Sequence, residues 1–240
     1  MTTPALPTST GSTYLDFFRG LVGDPGGRTP EQLLRDIGRR LEGFFQEYKF
    51  GIDEVLTKIT ILREEFEGTH TYGPIEHVKT RLKTVDSLVD KMGRYGVPAD
   101  LAAVRDTIRD IAGIRVTCAF VDDTYRFAEM LTRQPDLTVL ATKDYIRTPK
   151  PNGYQSLHLI VSVPVFLSDR TVDVPVELQI RTIAMDFWAS VEHQIYYKYE
   201  GTVPDHLSET LRAVATTASD LDEQMGRLRA EVQSLDSPGA

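Results

Sequence analysis

The stretch Val172-Asp173-Val174-Pro175-Val176-Glu177-Leu178-Gln179-Ile180-Arg181 (172–181) has the pattern of a β-strand with one covered apolar face. In its second half, apolar residues alternate with the long polar side chains of Glu177, Gln179 and Arg181, and a period of two places the two sets on opposite faces of a strand. A long helical stretch, residues 183–199, follows it. Because long polar side chains on a covered face need partners, we interpret this polar face as functional rather than simply solvent-exposed.

Further strands are predicted on both sides of this stretch. The hairpin signal Ser168-Asp169-Arg170 links it to an expected strand at 156–165. Other apolar and β-branched runs predict strands at 75–83, 111–121 and 137–145, and helical spacing predicts helices at 29–48, 52–66, 87–95, 101–109, 122–133, 183–199 and 207–235. The first helix begins with a capping box formed by Thr29 and Gln32. The fold class is therefore α/β (α+β), with a mixed β-sheet of about five strands flanked by helices.

Composition limits the function classes. The chain has 240 residues and a net charge of −8, and a uniformly acidic surface would repel a nucleic-acid duplex. The excess of acid lies in residues 53–67 and 200–240, however, so a local basic site remains available between them. A single cysteine, Cys118, excludes an intrachain disulfide framework and a multi-cysteine zinc site.

Targeting signals are not apparent in the sequence. No apolar run reaches the ~18 residues of a transmembrane helix. Residues 1–12 lack the basic start and apolar core of a secretory signal. We therefore expect a soluble cytoplasmic protein without a membrane or long nucleic acid as partner.

A basic cluster combines bases at alternate positions of an expected strand with a hydroxyl and a further base on one helix face. Its members are Lys79, Arg81, Lys83, Ser87 and Lys91. Such a wall of positive charge suits a polyphosphate. The alternative interpretation is a solvated basic edge of the sheet.

Asp110 stands where a predicted helix gives way to a predicted buried strand. Strand ends combine rigidity with access to solvent, and a carboxylate there can hold Mg²⁺, which prefers oxygen ligands and phosphates. The alternative is an ion pair with Arg109 or Arg115 at the helix end.

The turn after the strand at 137–145 is rich in groups that bind nucleotides. Pro and Gly within Thr148–Gly153 allow a tight loop whose backbone N–H groups can approach phosphate, and Tyr154 offers a face on which a base can stack. Two bases, Ser156 and His158 lie close by in sequence. The alternative is an ordinary loop between strands.

The helix at 183–199 carries Trp188, Glu192 and His193. We interpret Trp188 as core packing and Glu192-His193 as capping or positioning residues, because no second His stands four residues away to favour a metal site. The sequence contains no Walker loop, no GxGxxG and no GxSxG, and none of its five His residues is followed by Asp.

Five stretches in order resemble the synthetase domain of the RelA/SpoT-homologue family: RLKTVDSLVDK (81–91), RDIAGIRV (109–116), DYIRTPKPNGYQSLH (144–158), VELQIRT (176–182) and WASVEHQIYYKY (188–199). The resemblance covers about residues 29–200. The short length and the missing His-Asp motif make the chain similar to a small alarmone synthetase, which has no hydrolase domain. The resemblance implies a nucleotidyltransferase-like fold. It also implies transfer of pyrophosphate from ATP to the 3′-OH of GDP or GTP, giving AMP and ppGpp or pppGpp in the stringent response.

The resemblance also implies residue roles. Arg81 and Arg115 would sandwich the adenine of ATP, and Lys83, Ser87 and Lys91 would hold its phosphates. Asp110 and Glu177 would be the catalytic carboxylates and would bind Mg²⁺, with Glu177 also orienting or deprotonating the 3′-OH. The acceptor would be bound by Lys150, Asn152, Tyr154, His158, Gln179 and Arg181, with Tyr154 stacked on guanine.

Three segments are expected: a flexible N-terminal arm (1–28), the synthetase domain (29–200), and an amphipathic C-terminal helix (201–240) that packs on the domain or in the interface of a homo-oligomer, expected to be a tetramer. Two alternative functions stay open. One is a toxin-type relative that makes adenosine alarmones or pyrophosphorylates tRNA. The other is a non-catalytic nucleotide-binding regulator.

Overall fold

The computed structural model describes residues 20–21, 26–70, 72–199 and 203–236. The predicted flexible arm therefore lies largely outside the described residues. In chain order the main elements are α1 (Pro30–Thr69), β1 (Ile75–Leu82), α2 (Val85–Tyr95), α3 (Leu101–Thr107), β2 (Ala112–Cys118), α4 (Val121–Thr132), β3 (Thr138–Asp144), β4 (Leu157–Phe166), β5 (Thr171–Thr182), α5 (Ile183–Lys198) and α6 (Asp205–Asp236). None of these helices combines the length and apolar character needed to cross a membrane.

The five strands form one sheet in the order β1-β2-β5-β4-β3, flanked by helices, which confirms the predicted fold class. Strand β5, the stretch with strict alternation, is the central strand, and Val176, Leu178 and Ile180 on its apolar face are fully buried. The edge strands β1 and β3 are mostly exposed. On its polar face the side chain of Arg181 is also buried, at 4% exposed, and therefore needs partners.

Helix α1 corrects one prediction. The expected break between residues 48 and 52 does not exist, because one helix of 40 residues runs through it. A continuous stripe of buried side chains, from Phe44 to Phe66, stabilises the helix along its length. Gly51 lies inside this helix, where it faces β5. A Cβ atom at position 51 would come within 2.6 Å of Val174 Cγ1, so a glycine allows the helix and the strand to pack closely. The glycine serves close packing and does not end the helix. The predicted capping box is present, with Thr29 N donating to Gln32 Oε1 at 2.9 Å and Gln32 N to Thr29 Oγ1 at 3.3 Å.

The chain divides into two compact units that interleave along the sequence. Unit 1 contains residues up to 55, 80–113 and 162–177, and unit 2 contains 56–79, 114–161 and the chain from 178 onward. Unit 1 includes α2, α3 and most of the first helix. Unit 2 includes α4, α5 and α6, so the C-terminal helix belongs to a compact unit with the helix that precedes it.

Helix α6 is anchored to unit 2 by side-chain hydrogen bonds. Trp188 Nε1 donates to the backbone oxygen of Leu211 at 2.8 Å, and Thr182 Oγ1 donates to Asp222 Oδ2 at 2.7 Å. Burial raises the pKa of the Asp222 carboxyl, and the hydrogen bond from Thr182 opposes this only in part. These contacts show that the inner face of α6 is part of the core of unit 2.

Two glycines of α1 give a matched test of the packing at Gly51. Gly43 has open space around it, whereas Gly51 faces Val174. Gly43→Ala should raise the free energy of unfolding by about 1 kcal/mol through helix propensity. Gly51→Ala should lower it, because overpacking costs about 1–3 kcal/mol and Val174 is stiff. Urea unfolding of both variants checks this, and equal stabilisation would show that Gly51 does not pack closely.

Candidate active site

In unit 1 a group of lysines surrounds Asp110. Lys83 follows β1, and its backbone N donates to the backbone oxygen of Ile111 at 2.8 Å, which brings the end of β1 beside the start of β2. Thr84 caps α2 by accepting from Ser87 N, so Ser87 lies in the first turn of that helix and Lys91 one turn later. Ser87 and Lys91 share a helix face, as predicted, whereas Lys83 lies just after the strand and not within it.

Asp110 is the centre of this group. Its Oδ2 lies 2.7 Å from Lys91 Nζ and 3.2 Å from Lys83 Nζ. Burial by itself would raise the pKa of the Asp110 carboxyl, but the two ammonium groups outweigh burial and hold it below its usual value. Oδ1 is buried without a hydrogen-bond partner among the described residues. The expected alternative, an ion pair with Arg109 or Arg115, is not the arrangement found.

Glu177 also pairs with a cation in unit 1. Its Oε2 lies 3.3 Å from Arg81 Nη2, with 13% of the Glu177 side chain exposed and 56% of the Arg81 side chain. Gly113 makes room for Arg81, since a Cβ atom at position 113 would come within 2.9 Å of Arg81 Nε. An ion pair with one such exposed partner contributes only about 0–1 kcal/mol. This ion pair is therefore weak enough for a ligand of Arg81 to displace.

In unit 2, Arg181 organises a second group. Only 4% of its side chain is exposed. The guanidinium donates to Tyr154 Oη at 2.6 Å, to Gln179 Oε1 at 2.8 Å and to Asp186 Oδ1 at 3.1 Å. Tyr154 Oη also lies 2.8 Å from His158 Nε2, to which the hydroxyl can donate its own proton. Four of the predicted acceptor residues thus belong to one hydrogen-bonded network.

The loop before β4 places Lys150 beside the same tyrosine. Lys150 Nζ lies 4.6 Å from the ring centre of Tyr154 and 4.7 Å from that of Tyr145. A tight turn forms the loop, with Gly153 N donating to the backbone oxygen of Lys150 at 2.8 Å and Gly153 at a φ of 93°. This positive φ is the conformation that glycine adopts at little cost.

Asn152 contributes to the loop itself. Its Oδ1 accepts from Tyr154 N at 3.1 Å, and its Nδ2 donates to Glu192 Oε1 at 3.0 Å. Glu192 therefore has a positioning role, as predicted, and Asn152 is tied to α5. Trp188 is 3% exposed, which confirms its prediction as a core residue.

Asp186 was missed by the sequence reasoning. It lies in the first turn of α5 and pairs with Arg115 Nη1 at 3.1 Å as well as with Arg181. The only signal in the sequence was an acidic residue at a helix start, which is common because it complements the helix dipole. The tertiary structure alone shows that this carboxylate holds two arginines.

The metal chemistry of the site is limited to carboxylate pairs. No three His, Cys, Asp or Glu side chains come together as a metal site within the described parts of the chain. Mg²⁺, however, is commonly bound by one or two carboxylates together with substrate phosphates. The unpartnered Oδ1 of Asp110 and the carboxylate of Glu177 are oxygen ligands of that kind, so the donor set fits Mg²⁺.

Removal of the Asp186 carboxylate tests its part in the network. Asp186→Ala leaves the buried charge of Arg181 without its anionic partner, and breaking a buried pair costs about 3–5 kcal/mol. We expect urea unfolding to show a loss at the low end of this range, because Tyr154 and Gln179 still accept from Arg181. Asp173→Ala, an exposed residue of β5, is the control and should change stability little. A loss below about 1 kcal/mol would contradict the role of Asp186.

Comparison with known proteins identifies the class of protein. Residues 80–202, about half of the chain, match the family described as "Region found in RelA / SpoT proteins". The chain belongs to this family.

Its similarity is to the small members of the family. The GTP pyrophosphokinase YwaC of Bacillus subtilis is 46% identical over 185 residues, which cover 77% of this chain and 88% of that protein. The crystal structure of small alarmone synthetase 2 from Bacillus subtilis has a TM-score of 0.73 at 44% identity and covers 80% of this chain and 98% of that one. Small alarmone synthetase 1 of the same organism, bound to its product pppGpp, has a TM-score of 0.76 at 39% identity and covers 81% and 99%. The resemblance to a small alarmone synthetase is thereby confirmed.

Proposed function

We propose that the protein is a (p)ppGpp synthetase that transfers pyrophosphate from ATP to the 3′-OH of GDP or GTP. The observation that carries the proposal is the group in which Lys83 and Lys91 surround Asp110, because it joins phosphate-binding cations to a carboxylate with one unpartnered oxygen. The similarity to a GTP pyrophosphokinase and to a synthetase that binds pppGpp as its product supports the same reaction. These substrates also favour a cytoplasmic location, where nucleotides are abundant; cell fractionation that finds the protein elsewhere would contradict it.

The reaction itself requires one bond to form and one to break. The 3′-oxygen of the acceptor bonds to the β-phosphorus of ATP, and the bond from that phosphorus to the oxygen of the AMP portion breaks. The oxygen that leaves keeps the electron pair, so AMP is released. The proton of the 3′-OH must go to a base, and we assign this role to Glu177.

Unit 1 would bind ATP. Lys83, Ser87 and Lys91 would take the phosphates, and Arg81 would stack on the adenine, as guanidinium planes do. The resemblance also assigns Arg115 of unit 2 to the adenine. Because Lys83 and Lys91 now neutralise Asp110, a polyphosphate that recruits them would release the Asp110 carboxylate. Because Arg81 now pairs with Glu177, stacking of Arg81 on adenine would remove this ion pair from the carboxylate that is proposed as the base.

Mg²⁺ is the proposed cofactor, held by Asp110 and Glu177. When bound, it would neutralise negative charge that develops on the phosphates during transfer. The positioning of the two substrates would supply much of the remaining rate.

Unit 2 would bind the acceptor. Tyr154 would stack on guanine, and the nearby cations would attract its phosphates, since Lys150 is exposed beside the ring. His158 and Gln179 would line the same position. Arg181 is buried, so its proposed contribution is to hold Tyr154, Gln179 and Asp186 in place.

A label-transfer assay tests the reaction. The purified chain is incubated with γ-labelled ATP, Mg²⁺ and GDP, GTP, GMP, ADP or tRNA in separate reactions, and the products are resolved. We expect label on GDP or GTP, with AMP released in equal amount. Label on ADP or tRNA alone would favour the toxin-type reaction. Retention of all label in ATP would refute the synthetase assignment and favour a non-catalytic regulator.

Two carboxylate variants test the catalytic assignment. Glu177→Ala and Asp110→Ala should each reduce transfer by 100-fold or more, about the range for loss of a catalytic acid or base. Circular dichroism should show that both variants stay folded. Asp173→Ala, on the exposed part of the same strand as Glu177, should keep the wild-type rate. Turnover near the wild-type rate in either carboxylate variant would remove that residue from the mechanism.

Tyr154→Ala tests the acceptor assignment. The variant loses the stacking surface, and base–aromatic stacking contributes about 1–3 kcal/mol. The KM for GDP should therefore rise roughly tenfold or more, while the KM for ATP changes little. Steady-state kinetics with each substrate varied in turn measures the difference. An unchanged KM for GDP would exclude stacking on Tyr154.

We also propose that the chain forms a homo-oligomer, with a tetramer as the expected size. The outer face of α6 carries exposed apolar residues at alternating steps of four and three, the spacing of a coiled-coil seam. They are Val214, Leu221, Met225, Leu228, Val232 and Leu235, with Ala218 completing the pattern. A second copy of the same helix is the proposed occupant of this seam.

Sedimentation velocity measures this association. The wild-type chain should sediment as an oligomer, and Leu221→Glu combined with Leu228→Glu should lower its mass. The control Gln224→Glu changes an exposed polar residue of the same helix and should leave the mass unchanged. A wild-type monomer at micromolar concentration would contradict the proposal.

A further inference from the structure

The C-terminal helix α6 lies against the loop that carries the proposed acceptor residues. Gly153 of the loop is so close to Ala215 of α6 that a Cβ atom at position 153 would come within 2.5 Å of Ala215 Cβ. The backbone at Gly153 also has a φ of 93°. Position 153 therefore requires glycine for its backbone conformation and, independently, for the closeness of α6.

The residue after Gly153 also rests on this helix. Tyr154 packs against a buried cluster formed by Trp188, Ala189, Leu211 and Ala215, of which the last two belong to α6. The ring centres of Tyr154 and Trp188 are 6.4 Å apart. Trp188 in turn donates to the backbone oxygen of Leu211 at 2.8 Å. The ring proposed to stack on guanine is thus seated on a surface to which α6 contributes.

A third contact ties α6 to the end of the central strand. Thr182 is fully buried, caps α5 by accepting from Met185 N at 3.1 Å, and donates to Asp222 of α6 at 2.7 Å. Thr182 directly follows Arg181, whose guanidinium donates to the Tyr154 hydroxyl at 2.6 Å. Helix α6 therefore contacts Tyr154 directly. It also acts on Tyr154 indirectly, because Asp222 holds Thr182 and the neighbouring Arg181 donates to the Tyr154 hydroxyl.

The space around these contacts is not filled. A cavity of about 310 Å³ lies between the loop and α6, lined by residues that include Pro149, Pro151, Arg212 and Asp220. The loop is also tied to α5 by the hydrogen bond from Asn152 to Glu192, and the contact between Gly153 and Ala215 adds a limit on how closely the loop approaches α6.

We propose that α6 is a positioning element for the acceptor nucleotide, with Ala215 and Asp222 as the positioning residues that set the places of the 150–154 loop and of Tyr154. The inference rests on the proposed function, because it takes Tyr154 as the acceptor-stacking residue. Helix α6 lies outside the catalytic motifs. By this proposal it affects binding of the acceptor nucleotide and not binding of ATP.

Substitutions at the contact provide the test. Ala215→Leu pushes a larger side chain toward Gly153, and Gly153→Ala adds the Cβ atom that Ala215 opposes. Both should raise the KM for GDP about tenfold or more, because a misplacement of ~1 Å can cost about 100-fold. The KM for ATP should stay within about twofold. Ala213→Leu, on the exposed face of the same helix, is the matched control and should change neither KM.

A compensating pair separates positioning from a general loss of stability. Ala215→Gly removes the atom that a new Cβ at position 153 would meet, so the double variant Gly153→Ala/Ala215→Gly should recover part of the GDP affinity lost in Gly153→Ala. Asp222→Asn keeps an oxygen acceptor for Thr182 and should keep the KM for GDP, whereas Asp222→Leu should raise it. Equilibrium dialysis of GDP and of ATP against each variant gives the same comparison without turnover.

The outcomes separate failure of the proposed function from failure of the positioning role of α6. A wild-type chain that transfers no label refutes the proposed function itself. An active wild type in which Ala215→Leu weakens ATP and GDP equally, or neither, refutes the positioning role of α6. A GDP-specific loss with partial recovery supports it.

Discussion

The guanidinium of Arg181 is held almost entirely out of solvent at the end of the central strand, and most of the arrangement in unit 2 follows from the need to satisfy it. A buried charge is unfavourable unless it is paired and hydrogen-bonded. Asp186 supplies the counter-charge, and Tyr154 and Gln179 supply neutral acceptors. Tyr154 and Gln179, which are proposed to bind the acceptor, are therefore held in place without a ligand. The hydrogen bond between the Tyr154 hydroxyl and His158 Nε2 also holds His158.

In unit 1, by contrast with the permanently paired Arg181, the charged side chains form ion pairs that a substrate can replace. Asp110 is neutralised by Lys83 and Lys91, and Glu177 by Arg81. These cations are the groups proposed to bind ATP, and the carboxylates are the groups proposed to catalyse. A site without ligand thus avoids uncompensated charge, and binding of a polyphosphate exchanges one set of ion pairs for another. The net charge of −8 does not oppose this, because the excess of acidic residues lies in residues 53–67 and 200–240.

Much of the fold could be read from the alternation of residues, and the errors have physical causes. All five strands appear within a few residues of their predicted bounds, because β-branched and apolar runs mark strands along the sequence. Alternating burial is found in β4 and in the second half of β5. The break expected in α1 between residues 48 and 52 was wrong, and the sequence does not show what lies opposite Gly51 in this segment. Val174 lies there, more than 120 residues later in the chain, and its closeness gives Gly51 a packing role.

The sequence by itself determined the family, the order of the strands along the chain and the chemical types gathered at the site, because motif spacing and periodicity are local properties. Only the tertiary structure decided which cation faces which carboxylate. Lys83 and Lys91 hold Asp110, Arg115 is held by Asp186 instead, and Asn152 is directed toward Glu192. It also decided that the inner face of α6 supports the loop at Gly153 while the outer face stays exposed. Such pairings depend on distances between residues far apart in the chain, and the burial that makes them necessary exists only once the chain is folded.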